Sequence, residues 1–490
     1  MNENRPMQRD PDEVTLELRG LRDNVAALRE VVVRDGAARL SRWGDDSERA
    51  RNIAHYLSLR SHDLNELQLR LSTYGLSSLG RSEADVLAAL DALLATLRRL
   101  CGERASYPAA TTRREGEHAL ACACQQVFGA DEDPRRTRIM ATLPTEAADN
   151  PKLLAELIEA GMDCARVNCA HDDAAAWGRM VDNIHATSQR LGRPCKILMD
   201  IAGPKLRVEK VSAPDKYRLH PGERLSLLAN LDGARGVAFS LNMPEVVAQL
   251  REGAEVSFDD GKAVGRVVAV KGGCVEVEIV AGRTKGVRLK PGKGVNLPAT
   301  ELDLPPLTKK DMTDLDFVAA HADLVGLSFV QRAADVDLLR EELSARRGAR
   351  APQTLVLKIE TALSIYNLPD LILRAAATGP AAVMIARGDL AVELGFARLS
   401  EMQEEILWLC EAAHAPVIWA TQVLDQLVHE GVASRAEATD AAMAQKADCV
   451  MLNKGEFLTG GVRFLRDVLD RMERHHAKKF ARLSQLQAWR

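Results

Sequence analysis

Apolar positions recur with two different periods along this chain, and the change of period marks its main boundary. Val14, Leu18, Leu21, Val25, Leu28 and Val32 alternate spacings of four and three, a heptad seam that calls for a partner helix although Gly20 weakens it. Leu64, Leu67 and Leu71, then Leu87, Leu90, Leu94 and Leu97, predict two more amphipathic helices, and GLSSLGRSE between them supplies turn and capping residues. Residues 101–135 lose the period and collect Gly, Pro, Arg and Asp, which reads as a linker with room for some helix. Residues 1–135 are thus expected to be a helical extension, either a bundle or an oligomerisation module. From residue 137 short β-rich runs alternate with amphipathic helices: RIMATL, CARVN, CKILMD, DLVGLSF, TLVLKIE, AVMIARGD, PVIWAT and DCVMLN.

These are eight strands, whose last strand-like residues are Thr142, Asn168, Asp200, Ser328, Lys358, Asp389, Thr421 and Asn453. Most intervals lie between 26 and 32 residues, but the third is 128, which leaves about 96 residues as an insertion. The inserted segment alternates or runs β-branched between Gly and Pro turns, the pattern of a small all-β domain. The expected fold is α/β: a (β/α)8 barrel over 136–207 and 304–490, a β lid inserted at 208–303, and an all-α extension at the amino end. An open doubly wound sheet is the nearest rival, but no G-x-G-x-x-G follows a first strand. The tail RMERHHAKKFARLSQLQAWR reads as a continuation of the last helix.

Composition narrows the class. In 490 residues, 65 basic against 69 acidic side chains give a net charge of −4, which argues against a nucleic-acid binder or an anionic-membrane binder. No apolar run nears the roughly 18 residues of a membrane span, and the polar, mixed-charge start lacks a signal-peptide layout, so the expectation is cytoplasmic. Nine cysteines without paired spacing fit reduced thiols. The first lysine is Lys152, which agrees with a boundary near residue 135.

Active sites of such barrels lie at the carboxyl ends of the strands, so the polar strand ends should converge. Glu360 and Asp389 end neighbouring strands and suit one hard divalent cation; either acid alone could equally pair with an arginine or cap a helix. Lys358 shares a strand face with Glu360, either as a structural ion pair or as a cation for a phosphoryl group in transfer. Arg166 shares a face with Asn168, and Arg207 follows Asp200; two arginines near a cation site imply a phosphate or carboxylate substrate. ARGDLAVE should open a helix just after Asp389, whose amides at Gly388 and Asp389 could hold a carboxylate. Thr421, with no histidine near it in sequence, suits hydrogen bonding or proton delivery better than nucleophilic attack. His118, Cys122 and Cys124 lack a fourth ligand and read as packing or linker residues, His475 and His476 as a solvated helix end, and Asp259 and Asp260 as a turn before Gly261.

At these residues the chain resembles the pyruvate kinase family over roughly 137–470. LIEAGMDCARVNCAH, MDIAGPKLRV, GKGVNLP, LKIE, MIARGDL, WATQVL, SRAEATD and ADCVMLNKGE are similar to family motifs and follow in the same order. The resemblance implies transfer of the phosphoryl group of phosphoenolpyruvate to ADP, giving pyruvate and ATP. It implies Mg2+ or Mn2+ on Glu360 and Asp389, Lys358 at the transferring phosphoryl, Arg166 on the substrate phosphate, and Thr421 delivering a proton. Gly388, Asp389 and Thr421 would line the substrate subsite. Arg207 and His171 would lie on the nucleotide side, with Asp260 and Lys293 closing from the lid.

Several departures from the pattern modify that picture. Asn168-Cys169-Ala170-His171 lacks the serine that helps ligate a monovalent cation, and Gly203-Pro204-Lys205 brings a lysine where glutamate is usual. With Asn168, Asp200, Ile201 and Lys205 forming that site or its replacement, an enzyme not requiring K+ is expected. TLPTE replaces a glycine turn, Ala202 stands where lysine is common, and NKGEF replaces the usual eighth-strand loop. The sequence stops about 20 residues past the last barrel helix, so a carboxyl-terminal effector domain is not expected. The protein is expected to be a homo-oligomer acting on phosphoenolpyruvate or pyruvate and an adenine nucleotide. Two rivals remain: a Mg-dependent barrel lyase or aldolase acting on a pyruvate enolate, and a weakened pyruvate kinase-like regulator.

Overall fold

The computed structural model describes residues 9–131, 136–214, 216–232, 234, 236–477 and 480–481. The chain divides into two compact units, one formed by residues up to Gln125 with Leu407–Pro416, the other by Gln126–Ile406 and the chain from Val417 onward.

The first unit holds α1 (Pro11–Trp43), α2 (Glu48–Leu59), α3 (Asn65–Thr73), α4 (Val86–Leu100) and most of α5 (Thr112–Phe128). Asp10 caps α1 by accepting from the Asp12 amide, Pro11 stands at its first turn, and Gly44 ends it in the left-handed region. The heptad seam finds its partner inside the chain: Leu18, Leu21, Val25 and Val32 are buried, and α1 packs against α2 and α4. Asn52 satisfies its whole amide there, donating to the carbonyls of Glu83, Ala84 and Ala412 and accepting from the Val86 amide. The segment read as a linker contains the 17-residue α5, where Leu120, Cys124 and Val127 are buried at helical spacing. Gly116 is what its close approach needs, since a Cβ there would lie 2.1 Å from the Ala84 carbonyl oxygen.

The second unit is built on eight parallel strands, β1 (Arg138–Thr142), β2 (Cys164–Asn168), β3 (Lys196–Asp200), β4 (Leu324–Leu327), β5 (Thr354–Ile359), β6 (Ala381–Ala386), β7 (Val417–Val423) and β8 (Cys449–Leu452). They close in sequence order into a barrel, with β1 paired to both β2 and β8. β1, β4, β5, β6 and β8 are buried along their full length, the run expected of parallel strands covered on both faces.

Between β3 and β4 lies an all-β lid. Its main sheet runs Val295–Asn296, Glu255–Phe258, Ala263–Lys271, Cys274–Gly282, Arg224–Leu228, Ala238–Leu241 and Val208–Ser212 in spatial order. Val275, Val277 and Ile279 alternate inward along one strand, and Phe239 meets Phe258 edge-on at 5.4 Å in the lid core. Two element boundaries differ from the sequence reading. The helix after β6 begins at Arg387, so Asp389 lies inside its first turn rather than ahead of it. The last helix stops at Glu473, where its apolar period ends; His476–Ala477 then pairs with Phe480–Ala481, and residues 482–490 of the expected helical tail lie outside the described residues. Among the described residues no helix is long and apolar enough to cross a membrane.

Candidate functional site

A cavity of about 730 Å3 opens at the carboxyl ends of the barrel strands, under the lid. Its lining includes Arg166, Asn168, Ile201, Lys205, Arg207, Asp260, Lys358, Glu360, Gly388, Asp389 and Thr421, so most residues singled out from the sequence converge here. Asp200, His171 and Lys293 do not line it.

The floor is a chain of buried charges. Arg166 donates through Nε to Asp200 Oδ2 at 2.7 Å and through Nη1 to Thr142 Oγ1 at 3.0 Å, which ties β1, β2 and β3 together. Lys358 Nζ lies 3.6 Å from Asp200 Oδ2 and 3.3 Å from Glu360 Oε1, and it donates to Ser328 Oγ at 2.7 Å. Ser328 Oγ in turn donates to the Ile201 carbonyl at 2.7 Å. Burial alone would push Asp200 up and Lys358 down. The opposite charges win: Arg166 and Lys358 hold the Asp200 carboxylate low, while Glu360 and Asp200 hold the Lys358 ammonium high. Glu360 behaves differently, because burial and the neighbouring Asp389 carboxylate push it up against the pull of Lys358. Its Oε2 accepts the Phe329 amide at 2.7 Å.

Asp389 faces this floor from the first turn of its helix. Lys205 Nζ donates to both its oxygens at 2.9 Å, and Asn296 Nδ2 donates to Oδ1 at 3.1 Å. The loop that carries Lys205 is itself held by fully buried Asp311, which accepts from the amides of Ala202 and Gly203. Thr421 sits on a distorted stretch of β7, with φ 74° at Thr421 and 58° at Gln422, a conformation that costs energy for a β-branched residue. Arg387 holds that stretch: it donates to the carbonyls of Ala420 and Thr421 at 2.9 and 2.7 Å while paired with Asp440 at 2.6 Å. Gly388 permits the approach, since a Cβ there would lie 2.8 Å from Thr421 Cγ2.

The lid residues separate. Asp260 reaches the cavity, whereas Lys293 is spent on Asp259 at 2.7 Å. Asn168 Oδ1 accepts the Ala170 amide at 3.1 Å, and His171 stands outside, its imidazole held below the ordinary value by partial burial and by Lys454. Cys122 and His118 meet at 3.5 Å on α5, and among the described residues no group of three or more His, Cys, Asp or Glu is placed to share a metal. The sequence reading missed Asn296, Ser328 as a lysine partner, Asp311, Arg387 and Asp440. GKGVNLP, MIARGDL and SRAEATD contained Asn296, Arg387 and Asp440, but no spacing in the chain announces their contacts.

Glu360 and Asp389 together fit a hard divalent cation. Glu360 follows β5 and Asp389 stands in the first turn of the helix after β6; both are oxygen donors lining one cavity, which leaves room for water and substrate oxygens, the coordination style of Mg2+. Arg166, Arg207 and Lys358 supply the positive counterpart for an anionic substrate.

Fold and site together define a lidded (β/α)8 barrel whose strand ends oppose a carboxylate pair to basic groups. A family model described as the pyruvate kinase barrel domain matches residues 134–461. The chain is 33% identical over 349 residues to a pyruvate kinase of Agrobacterium vitis, covering 70% of this chain and 69% of that protein. It is 34% identical over 330 residues to the pyruvate kinase of Mycobacterium intracellulare, covering 66% of each. It is 34% identical over 329 residues to that of Geobacillus stearothermophilus, covering 66% of this chain and 54% of that protein. The chain belongs to the pyruvate kinase family.

Proposed function

We propose that the protein transfers the phosphoryl group of phosphoenolpyruvate to ADP, forming ATP and pyruvate. The observation that carries this reading is the floor of the cavity, where Arg166, Asp200, Lys358 and Glu360 form one buried line of alternating charge ending opposite Asp389. A bound Mg2+ on Glu360 and Asp389 would supply positive charge to the phosphoryl and enolate oxygens.

The chain's own groups do the rest. Arg166, its guanidinium fixed by Asp200 and Thr142, binds the substrate phosphate in a set orientation. Lys358 is kept protonated by Glu360 and Asp200, so it meets the phosphoryl group as a cation throughout transfer. The bond between phosphorus and the enol oxygen breaks as the bond to the β-phosphate oxygen of ADP forms. The enolate left behind takes a proton at its terminal carbon, with Thr421 Oγ1 at the end of the delivery route. Asp260 on the lid and Arg207 on its outgoing hinge strand approach the nucleotide side and exclude water. His171, in the loop after β2, and Lys293, paired with Asp259 on the lid, do not line the cavity in this conformation.

Lys205 brings a fixed ammonium into the cavity, 2.9 Å from Asp389, and this supports an activity that does not need K+. The proposal is tested by following pyruvate release from phosphoenolpyruvate and Mg2+ with and without ADP. Release that requires ADP is expected. Release at the same rate without ADP, or cleavage of a carbon–carbon bond in a pyruvate adduct instead, would assign the cavity to a hydrolase or a lyase.

A further inference from the structure

Asp389 is gripped from the lid's return strand as well as by Lys205. The strand leaving the barrel and the strand returning to it run side by side: the Val295 amide donates to the Leu206 carbonyl at 3.0 Å, the Val208 amide to Lys293 at 2.8 Å, and Arg207 bridges Gly294. The returning strand also pairs with the lid sheet, Val295 to Phe258 and Asn296 to Ser257. From this strand Asn296 donates its Nδ2 to Asp389 Oδ1 at 3.1 Å. Asn296 is only 7% exposed, and its Oδ1 is buried with no hydrogen-bond donor.

The reversed amide would set oxygen against a carboxylate, so the orientation follows from the partner. A buried amide satisfied at one end alone is a poor choice for fold stability, because a leucine of similar size would leave no polar atom unpaired. Such groups persist where they serve something else. Resting on the reading of Asp389 as a divalent-cation ligand, we infer that Asn296 is a positioning residue for that cation. Beside Lys205, which donates to both oxygens, it holds Oδ1 and so helps fix which way the carboxylate's remaining lone pairs face, and because it sits on the lid's return strand it couples cation affinity to the hinge. Partners that orient a metal ligand in this way typically govern affinity by about 10–100-fold.

The test is binding of Mn2+ alone to the full chain, followed by electron paramagnetic resonance, with thermal melting of the same samples. Asn296→Leu is expected to weaken Mn2+ binding about 10–100-fold with the melting temperature unchanged or raised. Asn296→Ser, too short to reach Asp389, should show the same loss and decides the matter if the leucine variant does not fold. Asp389→Asn reports on the underlying reading. If Asp389→Asn abolishes binding while both Asn296 variants bind within about twofold of the parent, the inference fails and the cation site stands. If Asp389→Asn binds normally, both fall. If binding weakens only together with a loss of melting temperature in both Asn296 variants, Asn296 is structural and the inference is overturned.

Discussion

Lys358 is a buried cation held among two carboxylates and a hydroxyl. A lysine near the carboxyl end of a fully buried strand is tolerated only because Asp200, Glu360 and Ser328 surround its ammonium. Lys358→Met removes that cation while keeping the stem, and turnover should fall by a factor of about 100 to 1,000 or more, with circular dichroism unchanged. A loss below about tenfold would contradict the assigned role. Lys205 carries a second expectation. If its ammonium stands in for a monovalent cation, activity in Tris buffer should change little when KCl is added, and Lys205→Glu should make it depend on K+. Negligible activity that rises about tenfold with KCl in the unaltered protein would reject the idea. The acids and bases at strand ends were legible in the sequence because a strand alternates faces and a barrel gathers its ends. Asn296 and Asp311 were not, because each acts on a residue 93 or 109 positions away through a contact that no period encodes.

Elements show where periodicity suffices and where it fails. The eight barrel strands could be placed from their apolar runs, since both faces of each are covered. The carboxyl end of β7 could not, because its positive φ values at Thr421 and Gln422 depend on Arg387 holding two carbonyls from another strand end. Helix α5 was obscured by the polar Arg and Glu of its first turns and by Gly116, whose close packing only the fold reveals. That helix also makes a pH-dependent contact. Both oxygens of Asp85 accept the Gly116 amide, at 3.2 and 3.3 Å, yet burial pushes the Asp85 carboxyl up to about 6. Its folded value lies above that of the unfolded chain, so its stabilising contribution is full below about pH 4 and is lost as the pH rises through about 6. Asp85→Asn should therefore slow amide hydrogen exchange in α4 and α5 relative to the parent at pH 7 and lose that advantage towards pH 4.5. A difference that does not vary with pH would contradict the burial argument.

Over the whole molecule, a formal charge of −4 conceals a cavity in which Arg166, Lys205, Arg207 and Lys358 confront Glu360 and Asp389. The family match begins at residue 134, so helices α1 to α5 lie outside the matched residues. Its heptad seam, which in sequence reads as a surface awaiting a partner, is buried against α2 and α4, a distinction that spacing alone cannot make. The central claim is that this cavity makes ATP from phosphoenolpyruvate and ADP with Lys358 as the phosphoryl-stabilising cation. Its most direct test is ATP formation with phosphoenolpyruvate, ADP and Mg2+, measured without K+ in the parent and in Lys358→Met. ATP is expected from the parent and not from the variant; no ATP from the parent with or without K+, or equal ATP from both proteins, would rule this activity or this role of Lys358 out.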